Sequence, residues 1–341
     1  MSEKRSRPGN SREDKPKRSG GKRRRPGSRD AEKPKRSGGK RNRPGSRDAD
    51  RSGKPDSEKG KARRPYRDPR SWDDRSKRDR KKQPPRVRQE PHLKDEIRIN
   101  KFIAHSGFCS RREADEYIEQ GQVYVNDKKV EQLGIKVRPD DKVVIDGQTV
   151  SLEPFVYILL NKGKDTISTT DDEKDRNTVL DAVEKATGYR VYPVGRLDRD
   201  TMGLILLTND GDLAHRLMHP SYKVKKVYEV TTDRTLTDAE LRELAKGIEL
   251  EDGPARPEKL QQYAHDPKTL EITVVEGRKH LIKRMISHFG AEVVKLKRIR
   301  YAGLTDKDLR VTRWRYLKQK EVNNLRRQVK LKPLDFLNES V

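Results

Sequence analysis

The first 95 residues of this 341-residue chain contain only eight apolar side chains: Met1, Ala31, Ala49, Ala62, Tyr66, Trp72, Val87 and Leu93. That scarcity limits what the chain can fold into. A segment with so little to bury cannot offset the entropy lost on ordering its backbone, so residues 1–95 are expected to form a long disordered tail. Charge separates the same two parts. Residues 1–95 hold 36 Lys and Arg against 15 Asp and Glu, a net of +21 out of +26 for the whole chain. The other 246 residues, with 45 basic and 40 acidic groups, have the balance of folded protein. A segment this cationic attracts a polyanion, because Lys and Arg contacts to phosphate release counterions. The alternative is a tail that serves solubility alone.

The tail also repeats itself. Lys15-Pro16-Lys17-Arg18-Ser19-Gly20-Gly21-Lys22 returns 18 residues later as Lys33-Pro34-Lys35-Arg36-Ser37-Gly38-Gly39-Lys40. The period is too polar for a solenoid, which needs an apolar face in each repeat, so it reads as duplicated low-complexity sequence. Cys109 is the single cysteine, which excludes an intrachain disulfide and any multi-cysteine metal site and fits a reducing compartment. No apolar stretch resembles a signal peptide core or is long enough to span a membrane, so the chain is expected to be cytoplasmic, with no membrane partner.

Order is expected from about Glu96. Ile99, Phe102 and Ile103 fall at i, i+3, i+4 and mark a short helix. Ser110 and Glu113 are spaced as a capping box for a second helix with Ala114, Tyr117 and Ile118 on its apolar face. Strands follow near 123–125 and 142–146, giving a small domain over 96–150. A larger domain is expected over 154–332. Its strands lie near 157–160, 204–208, 228–232, 270–275 and 293–300, the last with Val294, Leu296 and Ile299 as its apolar set. Its helices lie near 212–218, 237–245, 279–289 and 319–329. Strands and helices mix without regular βαβ alternation, so the class is α+β with a mixed, largely antiparallel sheet.

In the small domain, Arg111 and Arg112 occupy the first helical turn, and Lys101 lies on the neighbouring polar face. A phosphate there would satisfy both the free amides and the cations; the plainer reading is a solvated basic surface. The stretch Ile99-Asn100-Lys101-Phe102-Ile103-Ala104, then Gly107, Ser110-Arg111-Arg112-Glu113-Ala114 and Gly121-Gln122-Val123-Tyr124-Val125-Asn126 resembles an S4 RNA-binding domain. The resemblance implies RNA contact through the two-helix face, with Lys101, Arg111 and Arg112 as its hands.

The richest chemistry lies in Gly195-Arg196-Leu197-Asp198-Arg199-Asp200-Thr201-Met202-Gly203, followed by Leu204 to Gly211. Glycines bracket a loop between apolar strands, and its carboxylates sit among arginines, which favours their ionised form. By composition alone this is a charged connecting loop with internal salt bridges. The pattern as a whole closely resembles the signature of the RsuA/RluB group of rRNA pseudouridine synthases, Gly-Arg-Leu-Asp-x-x-Thr-x-Gly-Leu-Leu followed by Thr-x-Asp-Gly. It continues through Lys226-Val227-Tyr228-Glu229-Val230 and Glu276-Gly277-Arg278.

The resemblance implies that Asp198 is the catalytic carboxylate, acting at the ribose C1′ or removing the 2′ proton while uracil is detached, turned and rejoined through C5. It implies Tyr228 as the active-site aromatic, Lys283 as the partner of the aspartate, and Gly195, Arg196 and Thr201 as shapers of the loop. It implies no cofactor and no metal, and it favours the 23S over the 16S molecule. The partner is ribosomal RNA or a ribosomal subunit precursor, and the chain is expected to act as a monomer. Two departures stand out. Leu281 and Lys283 replace a polar residue and an arginine, and lysine lacks the bidentate fork. Asn161-Lys162-Gly163-Lys164 stands where the family usually has Asn-Lys-Pro-x-Gly. Lys283, Leu281 and the long basic tail keep open a second reading, a catalytically silent RNA-binding or ribosome-assembly protein on the same fold. His215 and His219, four apart, have the spacing of a metal pair but no evident third ligand.

Deleting residues 1–95 is expected to lower RNA affinity and flatten its dependence on salt while leaving the modified position unchanged. Filter binding across a salt series checks this, and an unchanged slope rejects the role of the tail.

Overall fold

The computed structural model describes residues 96–336 apart from 171, 173 and 175; the tail expected over 1–95 lies outside the described residues. The small lobe opens with β1 (Ile97–Arg98) and α1 (Ile99–His105), and Ile99, Phe102 and Ile103 are buried as their spacing requires. Helix α2 (Arg111–Glu119) is capped reciprocally. The Glu113 amide donates to the Ser110 hydroxyl at 3.2 Å, and the Ser110 amide donates to the Glu113 carboxylate at 2.7 Å. Two amides that the helix cannot satisfy are thereby paired.

Strands β2 (Val123–Val125), β3 (Lys128–Val130), β4 (Lys136–Val137), β5 (Val143–Ile145) and β6 (Gln148–Val150) follow. Four form an antiparallel sheet in the order β3-β2-β5-β6, and β4 pairs with β1. Cys109 is packed in this core with Ile103, Ile118 and Val143.

The large lobe runs β7 (Tyr157–Lys162), α3 (Val179–Val183), β8 (Tyr192–Pro193), β9 (Met202–Thr208), α4 (Gly211–Met218) and β10 (Lys226–Thr232). Then come α5 (Asp238–Lys246), the hairpin β11 (Ile248–Leu250) and β12 (Gly253–Ala255), β13 (Lys259–Tyr263) and β14 (Asp266–Val274). It ends with α6 (Leu281–Ser287), β15 (Val293–Tyr301), β16 (Leu304–Thr305), β17 (Trp314–Tyr316) and α7 (Gln319–Gln328). One sheet takes the order β13-β14-β10-β15-β9-β7-β17, with β8 on β9 and β16 on β15. Its pairings are antiparallel except β9 with β15, so the expected mixed, largely antiparallel α+β architecture is what the chain adopts.

Strand β9 is buried on both faces, which is why its sequence is a continuous apolar run. Leu204 and Leu206 pack with Leu213 and Leu217 of α4 and Val322 and Leu325 of α7. Ile205 and Leu207 pack on the other face with Val179 and Val183 of α3. The close approach at the parallel pairing of β9 with β15 requires Gly203, whose φ is +109°. A Cβ there would lie 2.3 Å from the Arg298 carbonyl oxygen and 2.6 Å from its amide nitrogen, so no larger residue fits.

One expectation fails on β15. Val294, read as part of the apolar set, is 62% exposed, whereas Arg298 and Tyr301 are buried. The β10–β15 register shifts between Val227 and Tyr228 and again between Thr231 and Thr232, and such irregularities break the simple alternation of faces.

The lobes meet through α1, α4 and the connecting chain. Lys101 of α1 pairs with Asp212 of α4 at 2.8 Å, the Arg190 guanidinium donates to the Cys109 carbonyl at 3.1 Å, and the His105 ring stacks on Phe155. Glu153, in the connection, is 8% exposed, and its Oε2 has no hydrogen-bond partner among the described residues. Burial pushes its carboxyl up to about 7, against the opposing pull of the Arg190 amide and Asn209. A carboxyl raised on folding stabilises the fold below its ordinary value and loses that contribution as pH rises through the raised one. The loss is about 3 kcal/mol for a shift of this size. Glu153→Gln is therefore expected to gain stability over the parent chain at pH 8 and little at pH 4.5. Urea denaturation at both values checks this, and an equal difference at both would refute it.

Candidate active site

The loop joining β8 to β9 carries Asp198, and its backbone is tied down on both sides of that residue. The Ser168 hydroxyl accepts from the Leu197 amide at 3.2 Å and donates to the Leu197 carbonyl at 3.1 Å. The Arg199 carbonyl accepts from the Asp165 amide at 3.0 Å and from Lys162 Nζ at 3.2 Å. The Thr201 amide closes the turn on the Asp198 carbonyl at 3.1 Å. Gly195 has a φ of +81°, and a Cβ there would meet only Met218 Cγ at 4.0 Å, so conformation rather than crowding selects glycine there. A reactive group on such a loop is held by its scaffold rather than by its own side-chain contacts.

The Asp198 carboxylate is 36% exposed. Its Oδ2 lies 3.6 Å from Lys283 Nζ, and its Oδ1 lies 3.5 Å from His280 Nε2. Lys283, expected to pair with Asp198, makes its hydrogen bonds instead to both oxygens of Asp200, at 2.8 and 2.7 Å. That is a physical consequence of lysine at this place. A point charge on a flexible stem settles on the nearer and more exposed carboxylate, whereas a guanidinium fork could address two. Burial would raise the Asp200 carboxyl, but the hydrogen bond and charge of Lys283 outweigh it and hold the group low.

Asp198, Tyr228, Lys283, Gly195, Arg196 and Thr201 all line one cleft of about 1060 Å³, more than a single small-molecule ligand fills. Tyr228 stands half-buried on β10, opposite Arg298 of β15. Arg196 is exposed; Thr201 is buried, and its Oγ1 lacks a partner among the described residues. The lining includes eight Lys and Arg side chains against Asp172, Asp198 and Glu276, a balance that suits a polyanion.

Sequence reasoning missed that three cations at or beside this cleft, Lys162, Lys226 and Arg298, are buried or half-buried. Lys162, at the end of β7, is 1% exposed and donates to the Gly163 and Arg199 carbonyls. Burial lowers its ammonium to about 8, with Asp200, Asp198 and Asp165 opposing. Lys226 donates to the Val224 and Val275 carbonyls, and burial and Arg298 lower it to about 8. Arg298 is 2% exposed, donates to the Leu204 carbonyl at 2.7 Å and lies over the Tyr301 ring. No local signal set them apart: Lys226 follows Lys225, and Arg298 stands among Lys295, Lys297 and Arg300.

The Glu276-Gly277-Arg278 segment is chiefly a brace. Arg278 binds Glu276, the Asp252 carboxylate and the Gly253 and Pro254 carbonyls, and Arg284 forks onto Asp252. The β11–β12 turn is thereby fixed to α6. Leu281, the unexpected apolar residue, is buried against Met285 and Ile286. Helix α6 starts at Leu281 rather than 279, because His280 before it is left-handed, with φ at 52°.

Lys101, Arg111 and Arg112 do not line the cleft. They lie on the small lobe, with Arg111 and Arg112 exposed and the Lys101 ammonium engaged by Asp212. His215 and His219 have ring centroids 5.5 Å apart, and no group of three candidate metal ligands occurs among the described residues. A carboxylate on a braced loop, facing an aromatic wall in a cationic cleft, can act on a sugar within a polyanionic chain.

Residues 156–288 match the family described as RNA pseudouridylate synthase, and residues 97–143 match the S4 domain. The chain is 42% identical over 233 residues to the ribosomal large subunit pseudouridine synthase B of Bacillus subtilis (strain 168), covering 67% of this chain and 95% of that one. It is 39% identical over 232 residues to the dual-specificity RNA pseudouridine synthase RluF of Escherichia coli (strain K12), covering 67% of this chain and 78% of the other. A crystal structure of a pseudouridylate synthase aligns with a TM-score of 0.50 at 30% identity, across 67% of this chain and 99% of that one. Identity at this level along nearly the full length of a relative leaves one assignment: the chain belongs to the RNA pseudouridine synthase family.

Proposed function

We propose that this chain converts a uridine of ribosomal RNA, in the large subunit, to pseudouridine. The observation that carries the reading is the cleft itself, in which Asp198 and Tyr228 face one space lined mainly by cations. The large-subunit assignment is supported by the Bacillus subtilis relative, whose name states that substrate. In this reading residues 96–150 grip RNA, with Lys101, Arg111 and Arg112 on the contact face, and residues 154–332 form the catalytic domain. The substrate puts the protein's work in the cytoplasm, where it acts as a monomer on rRNA or a subunit precursor. Among the described residues, no helix is long and apolar enough to cross a membrane.

The reaction breaks the N1–C1′ bond and forms a C5–C1′ bond. The C5 proton leaves and N1 gains one, so atoms and electrons balance without an acceptor or donor group. Asp198 supplies the carboxylate at the sugar, either at C1′ or at the 2′ proton. The ring of Tyr228 offers a face for a uracil turned out of its helix. Arg196 and Thr201 shape the loop around the withdrawn nucleotide, Gly195 gives it its turn, and Lys283 braces it through Asp200.

Replacing Asp198 by Asn is expected to abolish one pseudouridine in the rRNA of cells carrying the variant while RNA binding persists. Pseudouridine mapping of whole rRNA checks this, and an unchanged map removes the enzymatic reading in favour of a silent RNA-binding protein. Tyr228→Ala is expected to slow conversion by about 10- to 100-fold, the value of one base–aromatic stack. Wild-type turnover in that variant would reject the stacking role.

A further inference from the structure

The two oxygens of the Asp198 carboxylate face different nitrogens, and the donors are not equally committed. Lys283, 3.6 Å from Oδ2, already holds Asp200 at 2.7 and 2.8 Å. An ammonium whose hydrogen bonds go to Asp200 does not by itself fix the rotation of Asp198. His280 faces Oδ1 with Nε2 at 3.5 Å, and among the described residues its imidazole makes no hydrogen bond. The ring is half exposed and lines the same cleft.

The backbone turns that ring toward Asp198. His280 directly precedes α6, where a side chain commonly folds back to cap free amides. It makes no such cap; its φ of 52° and ψ of 26° are left-handed, a conformation in which Asn, Asp and His are the enriched side chains. The charged groups around it are Asp198 and Asp200 from the loop and Lys279 and Lys283 from its own segment.

We propose that His280 is a positioning residue for the isomerisation. Its Nε2–H is directed at Oδ1 of Asp198 while Lys283 stands at Oδ2, so that the carboxylate is held at one rotation against the sugar. Each oxygen keeps a further lone pair for the substrate. Both the imidazolium and the neutral tautomer protonated at Nε2 can donate, and contacts of this length tighten in a substrate complex. The inference rests on the reading of Asp198 as the catalytic carboxylate.

The test uses the full chain and rRNA of both subunits, tritiated at uridine C5, from cells lacking the protein. Each isomerisation releases one tritium to water. His280→Gly removes the ring while keeping a residue that takes left-handed backbone freely. It is expected to lower kcat about tenfold, the loss of one charge-assisted hydrogen bond, and to leave KM within about twofold. His280→Gln, whose amide nitrogen reaches the place of Nε2, is expected to recover most of the rate. A merely structural role would move KM or leave Gln as slow as Gly. Either result overturns the proposal, as does a Gly variant with the parent rate. Asp198→Asn is measured alongside. If it stays active, or the parent chain releases no tritium, the functional reading falls and the proposal with it. If it is dead while His280→Gly is unimpaired, only the role of His280 falls.

Discussion

Gly203 lets two backbones come closer than any side chain would allow, and the site is arranged around that contact. Because the Arg298 backbone fills the space of a Cβ at 203, β15 lies directly against β9, the one parallel pairing in a sheet whose other pairings are antiparallel. Strand β15 thus separates β9, which begins just after the Asp198 loop, from β10, which carries Tyr228 opposite Arg298. Helix α6, with Lys283, leads into β15 from the same side. Three stretches far apart in sequence meet at one rim because one strand lies among them.

Burial of cations beneath the rim gives the loop its stiffness. The Lys162 ammonium has exchanged water for backbone carbonyls, one of which belongs to Arg199, next to Asp198. A buried donor left without such partners is costly, so loop and strand hold each other in place. Helix α4 touches both the small lobe and the cleft. Its N-cap Asp210 accepts from Leu213 N–H, Tyr157 and Arg326, the last two buried, while its Asp212 holds Lys101 and its Met218 borders the cleft. One rigid helix therefore relates the proposed RNA grip to the cleft.

Much of this was legible where the physics is local. The capping boxes at Ser110–Glu113 and Thr237–Glu240 form as their spacing predicts, and the i, i+3, i+4 pattern at Ile99 marks the buried face of α1. The Asp198 loop was legible because its glycines and apolar flanks answer to backbone geometry. What escaped was non-local. Val294 faces solvent because the β10–β15 register slips, which the strand's own sequence does not record. Lys162 is buried because carbonyls and carboxylates from a distant loop surround it. The preference of Lys283 for Asp200 is decided 83 positions away in sequence, by which carboxylate lies nearer.

The plain composition of the Asp198 loop, four charges within residues 196–200, suggested a connector laced with ion pairs, and half of it is one. Arg199 pairs with Asp165 at 2.9 Å and Asp200 with Lys283 at 2.7 Å. The partners in the first pair are largely exposed, so its contribution to stability is small. Geometry gives these pairs their value, since both tie the segment just after Asp198 to neighbouring parts of the lobe. The remaining two charges, Arg196 and Asp198, are left facing the cleft. The same alternation of sign that makes the segment look like an ordinary solvated loop thus separates its paired charges from the two that line the cleft.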